Sequence, residues 1–201
     1  MARRMVVLLL VAATVLLATT TVQALDRNRK GFIIGLGGGL GVTSFTQEVQ
    51  EASGGGVAVK SDRETDFGLA TDFRIGGGIN DQFMLYYENR VAWFRIASAA
   101  GKDVTIAHGV GLVGASYYFK TRAPSAYILG SVGTSSWMAP FEEDSETWTG
   151  LGLSGGLGYE FSPRVSIEAT INRGTPSKDF GGLEFKTNAI SVLVTLCYIW
   201  Y

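Results

Sequence analysis

One cysteine, Cys197, is all the chain has, so no intramolecular disulfide framework can hold it. Prolines number four, and there is one histidine, His108. Only 17% of residues are charged, with 17 basic against 18 acidic side chains. That balance gives no basic footprint for a nucleic acid, and none is expected as a partner. Nowhere beyond the N-terminus is there an apolar run long enough for a membrane helix.

The exception at the N-terminus has a different meaning. Arg3 and Arg4 precede an apolar stretch, Met5 to Leu17, and Val22-Gln23-Ala24 offers small residues for cleavage. Residues 1–24 therefore read as a secretory signal peptide, leaving one domain over 25–201. Removing the two arginines from 17 basic side chains leaves 15 against 18 acidic, a net charge near −3.

What the chain has in abundance is glycine, 27 residues, and its distribution is patterned. From Gly150 to Arg173, Leu151, Leu153, Leu157, Tyr159 and Phe161 recur at alternate positions, with Gly150, Gly152, Ser154, Gly156, Gly158 and Glu160 between them. After Ser162-Pro163-Arg164, Val165, Ile167, Ala169 and Ile171 alternate with Ser166, Glu168, Thr170 and Asn172. A period of two on both sides of a break predicts a β-hairpin. Glycines and carboxylates make a poor apolar core, since they bring little apolar area and costly buried charge. If that face turns inward, the apolar face needs lipid as its solvent, and strands in lipid must close into a barrel.

The rest of the chain repeats the division. Phe32, Ile34, Leu36, Leu40 and Val42 alternate with Ile33, Gly35, Gly37, Gly39 and Gly41, and Thr43 to Thr65 reads as a long loop. Phe67, Leu69, Thr71, Phe73, Ile75 and Ile79 oppose Asp66, Gly68, Ala70, Asp72, Arg74 and Gly76 in a second strand. Phe83, Leu85, Tyr87, Val91 and Trp93 form the apolar face of a third. Antiparallel partners share a face, so the three-residue turn sets Ile79 opposite Phe83. Arg74 then faces Glu88, and Asp72 faces Arg90.

A fourth strand is expected to carry Ile106, Val110, Leu112 and Tyr118 outward, with His108 on that face, although Val113 and Phe119 fall on the other. In the fifth, Ser125 to Ser136, Ile128 and Val132 suggest one facing and Tyr127 and Leu129 the opposite. Gly174 to Lys186 reads as a loop, followed by a last strand from Thr187. The GxGxxG spacing occurs at Gly109-Gly111-Gly114 and Gly150-Gly152-Gly155, but inside strand patterns with no helix after it, so no nucleotide site is expected. The prediction is an all-β, eight-stranded antiparallel up-and-down transmembrane β-barrel. Its connections, about 20, 3, 7, 5, 11, 3 and 13 residues, alternate as external loops and periplasmic turns do.

The leader, the hairpin GLGYEFSPRVSIEA and the terminal LCYIW resemble the small outer-membrane β-barrel family, the OmpA/OmpX-like group. The resemblance implies a bacterial outer-membrane location and a final strand read by the barrel-assembly machinery. Val192, Val194, Leu196, Tyr198 and Trp200 match that assembly signal, although Tyr201 follows the expected last aromatic. The family hosts adhesins, stabilisers, narrow channels and a few enzymes, so fold alone does not give activity.

The candidate sites follow from the facing. Asp72, Arg74, Glu88, Arg90, Glu160 and Glu168 form an expected interior charge network, with Glu168 reaching across the lumen to Arg74 or Arg90. It is expected to fill the lumen rather than gate it, because eight strands leave room for little more than side chains. Phe32, Phe83, Tyr118, Tyr159, Phe161 and Trp93 are expected in aromatic girdles, with Phe67 beside Trp93 at the upper one. Lys60, Arg63, Arg95, Lys102 and Lys178 are expected at the external rim, where they could meet phosphates of lipopolysaccharide. Glu142, Glu143, Asp144 and Glu146 read as a solvated loop, and Cys197 as an inert residue facing the interior. An outward His108 could serve a lipid A-modifying enzyme as a base, but Ser116, the same-face serine, is about 26 Å away along a strand. No catalytic residue, cofactor or metal is expected. The chain is expected to be a monomer with a structural or loop-mediated interaction role, a narrow channel being the alternative.

Overall fold

The computed structural model describes residues 29–51, 57–97, 101, 103–143 and 145–201. The expected signal peptide, Lys102 and Asp144 lie outside these residues. Nine strands follow in order: β1 (Gly31–Glu51), β2 (Val57–Lys60), β3 (Glu64–Gly78), β4 (Phe83–Ala97), β5 (Asp103–Tyr118), β6 (Ser125–Met138), β7 (Trp148–Ser162), β8 (Val165–Phe180) and β9 (Leu183–Trp200). Eight of them form an antiparallel ring, closed where β1 pairs with β9 from Ile34↔Trp200 to Glu51↔Leu183. The short β2 pairs only with the top of β1.

The ladder fixes the shape of the ring. From Gly35 it runs through Arg74, Glu88, Leu112, Gly133, Gly152, Gly174 and Ala189. It returns to β1 at Phe45, ten positions beyond its start. With ~3.3 Å per residue and ~4.8 Å between strands, that stagger tilts the strands by about 40°.

Alternation then assigns every side chain to lumen or outside. Large apolar residues cover the outside, among them Leu36, Leu69, Val113, Leu157 and Leu196, each roughly half to two-thirds exposed. A water-soluble monomer does not leave so continuous an apolar belt uncovered. Phe32, Phe83, Trp93, Tyr159 and Phe161 all lie on this face, and Trp93 Nε1 donates to Thr71 Oγ1 at 2.9 Å. The ridge Val192, Val194, Leu196, Tyr198 and Trp200 runs down the outside of β9.

Three expectations are corrected. Much of the segment Thr43 to Thr65 is strand and not loop, because β1 continues to Glu51, pairing throughout with β9, and β2 occupies Val57–Lys60. The extension carries Thr, Ser, Gln and Glu, so its hydropathy no longer alternates although its backbone pairing does. Gln50 Nε2 donates to Glu184 Oε2 at 2.6 Å across this extension, and the bond holds the Glu184 carboxyl below its ordinary range. Nor is 174–186 a loop. Strands β8 and β9 meet at Phe180↔Leu183, leaving Gly181 and Gly182 as a two-residue turn with φ of 58° and 90°. Both values lie where glycine is favoured, as a tight hairpin turn requires.

The third correction concerns β5. Its register with β4 sets Phe83 beside Tyr117 and Trp93 beside Ala107, so Tyr117, Val113 and Phe119 face outward. Ile106, His108, Val110, Leu112 and Tyr118 therefore point into the lumen, and Tyr118 is not in the girdle. Large residues occur on both faces of this strand, so apolar character could not choose between them. In β6 the ambiguity resolves the same way, with Tyr127 and Leu129 inside and Ile128 and Val132 outside.

Candidate functional site in the barrel lumen

From the periplasmic turns upward, the lumen is a stack of layers. The lowest is built on Arg29, just before β1, which is 2% exposed. Its guanidinium forks onto the Glu160 carboxylate, with Nε 3.1 Å from Oε2, and its Nη1 donates to the carbonyls of Asp81 and Lys120 at 2.6 and 2.8 Å. The same group lies 4.1 Å from the centre of the Tyr118 ring, and Tyr201 donates to Glu160 Oε1 at 3.2 Å. Burial works against the charge of Arg29, but Glu160 more than restores it, so its pKa is raised. Tyr201, the residue that departs from the expected terminal pattern, is thus turned inward by the alternation after Trp200 and joins the lowest layer.

Above it Tyr118 and Tyr127 stack at 4.3 Å, among Ile33, Met84, Tyr86, Leu129 and Ile199. The Tyr127 ring lies over Gly158, where a Cβ would collide with it. The glycine face is therefore not empty space. At Gly158 it accepts a ring from the neighbouring strand.

The central layer contains Asp72, Arg74, Glu88, Arg90 and Glu168, none more than 5% exposed. The register sets Asp72 beside Arg90 and Arg74 beside Glu88. Glu168 stands beside Gly158 on one side and Thr195 on the other, so its cationic partners come from across the lumen. Arg74 Nη1 donates to Glu168 Oε1 at 2.7 Å, and Arg90 Nη2 donates to Glu168 Oε2 at 2.7 Å. Arg74 Nη2 also reaches Asp72 Oδ2 at 2.6 Å, and Arg90 Nε reaches Glu88 Oε2 at 3.0 Å. The hydroxyls of Tyr127 and Ser131 donate to Glu168 and Glu88. Buried charges persist when paired and hydrogen-bonded in this way. Glu160 is not part of this layer, being held below it by Arg29.

Asp72, Glu168 and Cys197 bring two carboxylate oxygens and a sulfur within 4.8 Å of one another. The same carboxylates hold Arg74 and Arg90, so a metal ion there would have to displace two guanidinium groups. The chemistry is that of an ion-pair plug.

Higher still, Ser191 Oγ lies 2.8 Å from both His108 Nδ1 and Thr43 Oγ1, and Ser154 donates to Asn172 at 2.7 Å. His108 is 1% exposed and faces this layer, which removes it as a base on the lipid face. Gly174 makes its place, since a Cβ there would meet Ser135 and His108 Nε2. Phe45, Phe94, Ile106, Trp137 and Leu193 cap the stack, with Phe45 and Trp137 rings 4.9 Å apart.

Sequence reading anticipated the central carboxylates and arginines but not Arg29, Tyr127, Ser131 or Tyr201. Arg29 lies before the first alternating segment, where periodicity carries no information. A signal did exist for Tyr201, because one step past the outward Trp200 must point inward.

The family model for the outer membrane protein beta-barrel domain matches residues 10–196. No curated protein matches the chain. Among solved structures, the outer membrane protein OprG from Pseudomonas aeruginosa is 12% identical with a TM-score of 0.51, covering 87% of this chain and 99% of its own. The outer membrane protease OmpT from Escherichia coli is 10% identical with a TM-score of 0.46, covering 87% and 98%. Ail, the attachment invasion locus protein of Yersinia pestis, is 14% identical with a TM-score of 0.38, covering 81% and 97%. The likeness to OprG is one of fold.

Proposed function

Because the chain belongs to the outer membrane protein beta-barrel domain family, we propose that this protein of the bacterial outer membrane is a closed barrel with a structural or loop-mediated interaction role, not a conduit. The observation that carries this reading is the filled lumen. A tyrosine layer and a five-residue ion-pair layer span its lower half, and Phe45, Phe94 and Trp137 cover its top. Solute would have to displace paired charges from the centre as well as rings from both ends. Activity then belongs to the outward face and the extensions above the membrane. In the same proposal, the outer ridge of β9 is what the assembly machinery reads, and the folded chain works as a monomer.

A narrow channel remains the competing reading, since the central layer is charged. Planar-bilayer recording of the refolded protein separates the two. The closed barrel gives no discrete conductance steps at moderate voltage. Reproducible steps that change in size with Arg90→Ala contradict it and establish the channel.

A further inference from the structure

Three cationic side chains converge on the outside of the barrel, away from the layers that fill the lumen. Arg173 projects from the outer face of β8, in a ladder row with Leu153, Ile190 and Ser44. Ser61 accepts from the backbone of Gln47 at 2.9 Å and donates its own N–H back to that residue's carbonyl at 2.8 Å. This clamp fixes the link between β2 and β3 against β1 and brings Lys60 and Arg63 over the same face. Together Lys60, Arg63 and Arg173 line a pocket of roughly 230 Å³, with Ser44, Thr46 and Asn188 supplying neutral polar groups.

The charges there are not balanced. Lys60 pairs with Glu48 at 2.7 Å. Arg63 and Arg173 have no acidic partner among the described residues. Arg173 lies eight residues above Val165, which pairs with Tyr198, whose ring lies 4.5 Å from that of Trp200 on the outer face at the periplasmic end of β9. At ~3.3 Å per residue and a tilt of about 40°, that is about 20 Å above the lower interface. The apolar band of such barrels is about 25 Å tall, so the guanidinium reaches the upper headgroup level. An unpaired arginine at that depth calls for an anion, and guanidinium forks match phosphate oxygens two at a time.

We propose that Lys60, Arg63 and Arg173, with Ser44, Thr46 and Asn188, form a binding site for a phosphate monoester carried by a glycolipid of the outer leaflet. The site is one-sided. The corresponding groove around β3, β4 and β5, roughly 500 Å³, is lined by Phe67, Leu69, Trp93 and Phe141 with Arg95 as its one cation. The barrel thus presents a phosphate-binding flank and an apolar flank to the same leaflet.

The test uses the refolded protein in detergent, titrated with lipid A bearing both phosphates, with the same lipid after phosphatase treatment, and with inorganic phosphate. Bound lipid is read by native mass spectrometry. The double variant Arg63→Gln/Arg173→Gln is expected to bind the phosphorylated lipid about tenfold more weakly or worse, while Arg95→Gln binds as the parent does. Heat-modifiable gel migration verifies that each variant is folded, and both substituted side chains are exposed. Phosphatase-treated lipid binding as well as the intact lipid overturns the proposal. So does an equal loss in Arg95→Gln, which would make the effect one of general rim charge. Inorganic phosphate displacing the lipid at equal concentration would assign the site to a free anion and overturn the lipid as its source.

Discussion

Replacing Arg90 by glutamine leaves Asp72, Glu88 and Glu168 facing one guanidinium, that of Arg74. Replacing Glu168 by glutamine leaves two carboxylates facing two guanidinium groups. Removing one partner of a buried pair costs about 3–5 kcal/mol, and the cost rises with the charge left uncompensated. Arg90→Gln is therefore expected to destabilise by about that amount, and Glu168→Gln by less. Urea unfolding in lipid vesicles, followed by gel migration, measures both. A Glu168→Gln loss equal to or larger than that of Arg90→Gln would contradict the charge count. These partners were legible before the structure because a three-residue turn sets the register of β3 and β4. The same reasoning left Glu168 beside a glycine and sent it across the lumen. The partner of Glu160 was not legible, since Arg29 precedes every strand.

At the scale of the element, what was legible depended on how unequal the two faces of each strand are. In β7 one face is leucine and aromatic while the other is glycine and serine, and a single facing fits. In β5, Leu112 and Tyr118 compete with Val113 and Phe119, and only the ladder to β4 decides. That is why His108 and Tyr118 were expected outside and lie inside. Strand ends were hidden for another reason: above the membrane the extensions of β1, β8 and β9 lose the strict alternation, with polar residues on both faces and apolar ones only at scattered positions such as Phe45, Phe180 and Phe185. The Gly181-Gly182 turn that joins β8 to β9 gives a local prediction. Gly182→Val, at a position where φ is 90°, is expected to cost roughly 1–2 kcal/mol. The cost should appear as faster amide exchange in Ser177 to Lys186, with the Trp200 end of β9 unchanged. Unaltered exchange in that segment would show that the turn does not hold the extension together.

For the whole molecule, the ring of eight strands was legible from glycine and apolar alternation, and the layered filling of its lumen was not. Filling depends on which rings lie over which glycines, as Tyr127 does over Gly158, and period-two patterns contain nothing about volume across a barrel. For the closure of the lumen the chain supplies its own reporter. Cys197 is the only cysteine, points inward and lies 3.7 Å from Asp72. The measurement is its labelling by a small water-soluble methanethiosulfonate, in the folded protein and in urea. A Cys197→Ser/Ser162→Cys variant, with its thiol at the exposed periplasmic turn, serves as the reactive control. A closed lumen leaves Cys197 unlabelled while the control reacts fully, and unfolding makes Cys197 reactive. Labelling of folded Cys197 at a rate near that of the control would mean that water and solute enter the barrel, and would contradict the account.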